Sequence, residues 1–142
     1  MERTSGSVAE SFRLPVTPAA AGMARERLAE ACAGLDDEQR YVAELLTSEL
    51  VTNAVRHPQR PDDGPWARIV EVAIHRSDRC LRVEVCDPDP RPLKAPSCPS
   101  TPRESGWGLY LLSQLSTEWG CSSAEAGAGK VVWFEMGISP RG

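Results

Sequence analysis

The stretch from Arg68 to Asp87 decides most about the fold. RIVEVAIHR, residues 68–76, and CLRVEVCD, residues 80–87, each alternate apolar and polar side chains. That is the period of a strand with one buried face. Ser77-Asp78 suits a tight turn between them, so the pair predicts a hairpin. Strands joined so closely run antiparallel, which argues against a doubly wound parallel sheet.

The flanking segments fill in the order. Residues 1–9 are polar and small and are expected to form a frayed end. SFRLPV, residues 11–16, reads as a short edge strand, the strand position that tolerates proline. Thr17-Pro18 marks a helix start, with Thr17 as N-cap and Pro18 in the first turn. That helix is expected to run through Ala33 and stop at Gly34. Asp36 or Asp37 caps a second helix, Glu38 to Arg56, ended before Pro58. Downstream come a proline-rich loop over 88–105, an apolar helix from Trp107 to Leu115, and two strands, Trp119–Ser123 and Lys130–Met136, separated by AEAGAG. The expected fold is α+β: a two-layer sandwich of a mixed or antiparallel sheet with helices on one face. Its 142 residues suit a single domain, placed here at 10–138.

Composition narrows the setting. The net charge of -4 argues against a general nucleic-acid binder. No run approaches the roughly 20 apolar residues of a membrane helix. MERTSGSVAESFRLP lacks a signal peptide's apolar centre, so a cytoplasmic protein is expected. The five cysteines include no CxxC pair, which points to reduced, partly buried thiols rather than a metal cluster or disulfide framework.

The unusual segment is SELVTNAVRHP, residues 48–58. On a helical wheel Glu49, Asn53, Arg56 and His57 share one stripe, while Leu50, Val51, Ala54 and Val55 cover much of the other side. The stripe is either a solvated face, as on most amphipathic helices, or the floor of a polar cleft. In a cleft, Asn53 offers a neutral oxygen to a hard cation such as magnesium. Glu49 could accept a proton from a nucleophile, and Arg56 and His57 could meet phosphate oxygens. Asp87 ends a strand before PDPRP. It suits either a turn or a hydrogen bond from an exocyclic amine such as adenine's. Gly106 and Gly108 precede an apolar helix, where they serve as a flexible entry or let backbone approach phosphates.

Taken together these pieces resemble the GHKL ATP-binding superfamily, in particular the short anti-sigma-factor serine/threonine kinases. The N-box resemblance is ELLTSELVTNAVRH, residues 44–57. VEVCDPDPRP, residues 83–92, and ESGWGLYLL, residues 104–112, resemble the two glycine boxes, and GKVVWFEM, residues 129–136, looks like the closing strand. The resemblance implies a Bergerat-type sandwich with ATP between helices and sheet. It implies Asn53 as magnesium ligand, Glu49 as general base and Asp87 as holder of the adenine amine. Gly106, Trp107, Gly108 and Leu109 would lie along the phosphates, with Arg56 and His57 facing them, and residues 88–105 would form a lid. Proteins of this kind phosphorylate a serine on an anti-anti-sigma partner and bind a sigma factor, commonly as homodimers.

The chain departs from that pattern twice. Asp89 stands where the first glycine box usually has glycine, and Glu104 stands where an arginine often precedes Ser-Gly. A carboxylate beside the phosphates would repel them, and a lost guanidinium would weaken charge stabilisation during transfer. Two functions are therefore expected of such a sequence: an active kinase and anti-sigma regulator, or a non-catalytic interaction module of the same fold. A histidine-kinase core fits poorly, because His75 falls in a predicted strand and no phospho-accepting helical hairpin is present.

Overall fold

The computed structural model describes residues 8–55, 69–88, 107–123 and 129–139. In chain order the elements are β1 (Val8–Pro15), α1 (Ala20–Ala31), α2 (Asp37–Val55), β2 (Ile69–Arg76), β3 (Cys80–Asp87), α3 (Trp107–Leu115), β4 (Glu118–Ser123) and β5 (Lys130–Gly137). The strands form one sheet in the order β1-β2-β3-β5-β4, every neighbouring pair antiparallel. β3 and β4 thus run parallel with β5 inserted between them. The α3 connection carries the chain to the edge, and β5 returns to close on β3.

Alternation decides which face is covered. Phe12 and Leu14, Val70, Val72 and Ile74, Leu81, Val83 and Val85, and Val132, Phe134 and Met136 are buried on one face. Against them lie Ala20, Ala24 and Leu28 of α1, Ala43, Leu46, Leu50, Val51 and Ala54 of α2, and Leu112 of α3. Each large apolar side chain removed from water here contributes about 1.5–3 kcal/mol. This is the expected two-layer α+β sandwich, with a fully antiparallel sheet among the described strands.

The other sheet face carries a polar lattice. Arg82 donates to Glu84 Oε2 at 2.8 Å and to Glu135 Oε2 at 2.7 Å. Its guanidinium lies 4.1 Å from the centre of the Trp133 ring. Gly120 makes room for that indole: a Cβ there would fall 2.7 Å from a Trp133 ring carbon. Burial alone would lower the Arg82 pKa, but the two carboxylates more than offset it and raise it.

Several expected boundaries shift. β1 starts at Val8, so Val8 and Ala9 are not a frayed end but pair with Arg76 and His75. Thr17 is not the N-cap of α1. That position is Ala19, which makes no side-chain cap, and Thr17 instead accepts the Ala20 N–H through its carbonyl at 3.0 Å. α1 ends at Ala31 rather than Ala33, where the backbone tightens into i→i−3 bonds from Ala33 N–H to Glu30 and from Leu35 N–H to Cys32, and Arg76 from β2 donates to the carbonyls of Ala31 and Ala33 at 2.8 and 2.7 Å. Gly34 then turns the chain with φ 84°, a left-handed conformation that suits glycine. Asp36 caps α2 as expected, accepting the Gln39 N–H at 2.7 Å. Of the four described cysteines Cys32 is buried, Cys80 and Cys86 are half-buried and Cys121 is exposed. Cys98 and most of the expected lid lie outside the described residues. No described helix is long and apolar enough to cross a membrane.

Candidate nucleotide site

The polar stripe of α2 does not simply face water. Glu49 and Asn53 are both half-buried. α3 packs against α2, and its second residue, Gly108, lies directly on Glu49. A methyl group at Gly108 would come 3.1 Å from Glu49 Cβ and 3.2 Å from Glu49 Oε1. The start of α3 thus packs closely on the glutamate side chain of α2.

Asp87 is the last residue of β3. It is in phase with Leu81, Val83 and Val85, so it points to the helix side of the sheet, and it is 4% exposed. Directly across in register is Lys130, the first residue of β5. Lys130 Nζ lies 3.3 Å from Asp87 Oδ2, with the two side chains 4% and 3% exposed. Gly129 makes this possible. Its φ is 137°, and a Cβ there would fall within 2.3 Å of the Asp87 carbonyl oxygen. The core face of the closing strand therefore begins with a charged side chain. Lys130 was legible in principle, because it shares a phase with the buried Val132 and Phe134.

Of the residues expected to form the site, Glu49 and Asn53 lie on α2, Asp87 ends β3, and Trp107, Gly108 and Leu109 open α3. Arg56, His57 and Gly106, and with them Asp89 and Glu104, lie outside the described residues. His75 lies in β2 as expected, with Nε2 3.9 Å from Glu84 Oε1 on the helix-free face. Among the described residues no group of three or more His, Cys, Asp or Glu side chains could hold a metal ion.

The family model of the histidine kinase-like ATPase domain matches residues 14–136, nearly the whole chain. The chain belongs to this family. A histidine kinase-like ATPase domain is an ATP-binding domain. Among solved structures, the crystal structure of the RsbU and RsbW domains of Rv1364c from Mycobacterium tuberculosis matches with a TM-score of 0.62 at 21% identity. The match covers 94% of this chain and 33% of that one, so this ATPase domain spans about a third of the length of its structural relative. At that identity the likeness is one of fold. No curated protein matches the chain in sequence.

Proposed function

We propose that this chain is a cytoplasmic anti-sigma-type regulator that binds Mg-ATP between α2, α3 and the end of the sheet. It transfers the γ-phosphoryl group to a serine or threonine of an anti-anti-sigma partner and sequesters a sigma factor. The observation that carries the reading is the contact of Gly108 with Glu49. It puts a proton acceptor beside the glycine-containing helix start, where nucleotide phosphates are favoured. The family assignment, and the fold shared with a structure that includes an RsbW domain, support the same reading.

In this scheme Glu49 takes the proton of the acceptor hydroxyl. The hydroxyl oxygen forms a bond to the γ-phosphorus as the bond from that phosphorus to the β-phosphate oxygen breaks, and ADP leaves with the electron pair. Phosphoryl transfer asks for positioning and charge stabilisation more than covalent help, which suits a small domain. Gly106, Trp107, Gly108 and Leu109 border the phosphates through their backbone, Arg56 and His57 face them, and Asp87 accepts the adenine amine. Asn53 supplies a neutral oxygen, a donor that fits magnesium when phosphates and water complete its shell. Bound there, magnesium would neutralise phosphate charge.

Radiolabelled ATP with a purified anti-anti-sigma protein tests the scheme. The wild type should label the partner, and Glu49→Ala should lower the rate by about 10²–10⁴-fold, the usual worth of a general base. Equal transfer by both would remove Glu49 from that role. Asp89 and Glu104 favour a second reading, in which the domain sequesters a partner without chemistry. Calorimetric titration separates the two, because the second predicts no heat with millimolar Mg-ATP.

A further inference from the structure

α3 is unusual for a helix at the surface. Its sequence, WGLYLLSQL, carries no charged residue, and a helix of that kind is normally covered on all sides. Here Leu112 enters the core, Leu111 is half-buried and Leu115 is 40% exposed. The direction of the helix shows what lies beside that apolar side. Gly108, near its start, rests on Glu49 of α2. Thr117, just past its end, accepts the Gly137 N–H through Oγ1 at 3.2 Å, and Ser139 N–H donates to Gln39 of α2 at 3.3 Å. α3 therefore runs antiparallel to α2. Leu115 follows Gly108 by two helical turns, and Val42 precedes Glu49 by two, so each pair shares a face. The seam leads from Glu49 and Gly108 down to Val42 and Leu115. Val42 and Leu111 rest on the core, while Tyr41, one turn from Leu45, is 65% exposed. Apolar side chains exposed singly are ordinary, but a strip of them along one seam marks a contact surface.

Charge selects what covers it. Asp37 is in phase with Tyr41 and Leu45, and Glu38 with Val42 and Glu49. α3 adds no charge. Arg40, the only basic residue of α2, acts on the Cys32 thiol and so lies toward α1. Among the described residues the strip thus has an apolar floor and an acidic border. A second copy would bring acid against acid, whereas a segment with apolar side chains beside Lys or Arg meets both features. One end of the strip is Glu49, the proton acceptor of the transfer scheme. At 1.5 Å per residue Val42 lies about 10 Å from it along the axis. An extended segment covers that span in about three residues.

We propose that the seam between α2 and α3 is the docking strip for the protein that supplies the acceptor hydroxyl: a segment whose Ser or Thr meets Glu49, and whose apolar anchor, with Lys or Arg beside it, settles at Val42 and Leu115. This rests on the phosphoryl-transfer reading above and adds to it the surface that selects the substrate.

The test is steady-state phosphorylation of the purified anti-anti-sigma protein, with ATP and acceptor varied separately. Tyr41 and Leu115 are exposed, so Tyr41→Ser and Leu115→Ser should keep the wild-type urea midpoint. Each should raise the KM for the acceptor about tenfold, the worth of one interface anchor, with kcat and the KM for ATP unchanged. Glu38→Lys should raise the acceptor KM severalfold at low salt and lose that effect at high salt. An acceptor KM unchanged in both serine variants overturns the strip and leaves the transfer reading intact. A rise in the KM for ATP alone would assign the seam to residues 89–106 of this chain. A wild-type dimer that Leu115→Ser dissociates would assign it to a second copy, and either result overturns the proposal. Wild type that labels no acceptor overturns the transfer reading itself, and the proposal with it.

Discussion

Thr47 carries a hydroxyl that α2 buries completely, and among the described residues its Oγ1 has no hydrogen-bond partner. Its neighbour Ser48 is satisfied, because Arg25 of α1 donates to its Oγ at 2.8 Å. A buried hydroxyl without a partner forfeits its hydration and regains little, a cost of about 1–3 kcal/mol. Valine has the same branched shape, and its methyl suits the apolar surroundings of Leu50, Val51 and Ala43. Thr47→Val should therefore raise stability by about 1 kcal/mol, seen as a higher urea midpoint with an unchanged slope. A loss of stability instead would mean that an ordered water satisfies the hydroxyl. At this same scale Lys130 and Gly129 act as one unit: the glycine admits the backbone, and the lysine fills the place so made.

At the scale of elements, α1 depends on a residue far from it in the chain. Arg76, the last residue of β2, donates to the carbonyls of Ala31 and Ala33 and so ties the helix end to the sheet. Arg76→Ala should cost about 1–2 kcal/mol, because the last carbonyl of the helix and that of Ala33 in the turn after it lose a charged donor. Hydrogen exchange should quicken in the last turn of α1 before it does in α2. Arg76→Lys should recover only part of the loss, since a point charge cannot replace the guanidinium fork. This contact also explains what the sequence withheld. Alternation in residues 69–76 and 80–87 is a local signal, and it revealed β2 and β3 to within a residue. α3 was legible from its apolar run to both ends. The end of α1 was not, because Gly34 marks only the turn, whereas the helix gives way two residues earlier, where a side chain 45 residues from Ala31 holds its carbonyl. The start of α1 misled for a related reason, since Thr17 uses its carbonyl where its hydroxyl was expected to act. The candidate site divides the same way. Glu49, Asn53 and Asp87 stand out by phase and residue type along their own elements. The pairing of Asp87 with Lys130 depends on the register between β3 and β5, which no local pattern encodes.

Across the whole molecule the helices shield one sheet face, and at the seam between them sits Cys32, fully buried at the end of α1. Burial, with a smaller push from Glu44, raises the thiol from its ordinary 9.0 to about 11, while Arg76 and Arg40 oppose the shift. The native state therefore keeps its proton where the unfolded chain has already lost it. Between pH 9 and 11 the unfolded state binds fewer protons, so stability falls as pH rises through that window. Below pH 9 both states are protonated and the contribution of Cys32 is complete. A shift of this size corresponds to at most about 2–3 kcal/mol once pH exceeds the folded value. Cys86 moves in the same direction, chiefly by desolvation, and other groups titrate nearby in pH. The comparison that isolates Cys32 is therefore a difference: urea unfolding of wild type and Cys32→Ala at pH 8 and at pH 10.5. The variant should start less stable, because it gives up buried volume, yet lose less stability than wild type between the two pH values. Equal losses in both proteins would show that the thiol ionises without the domain opening, and that the seam between helices and sheet admits solvent in the native state.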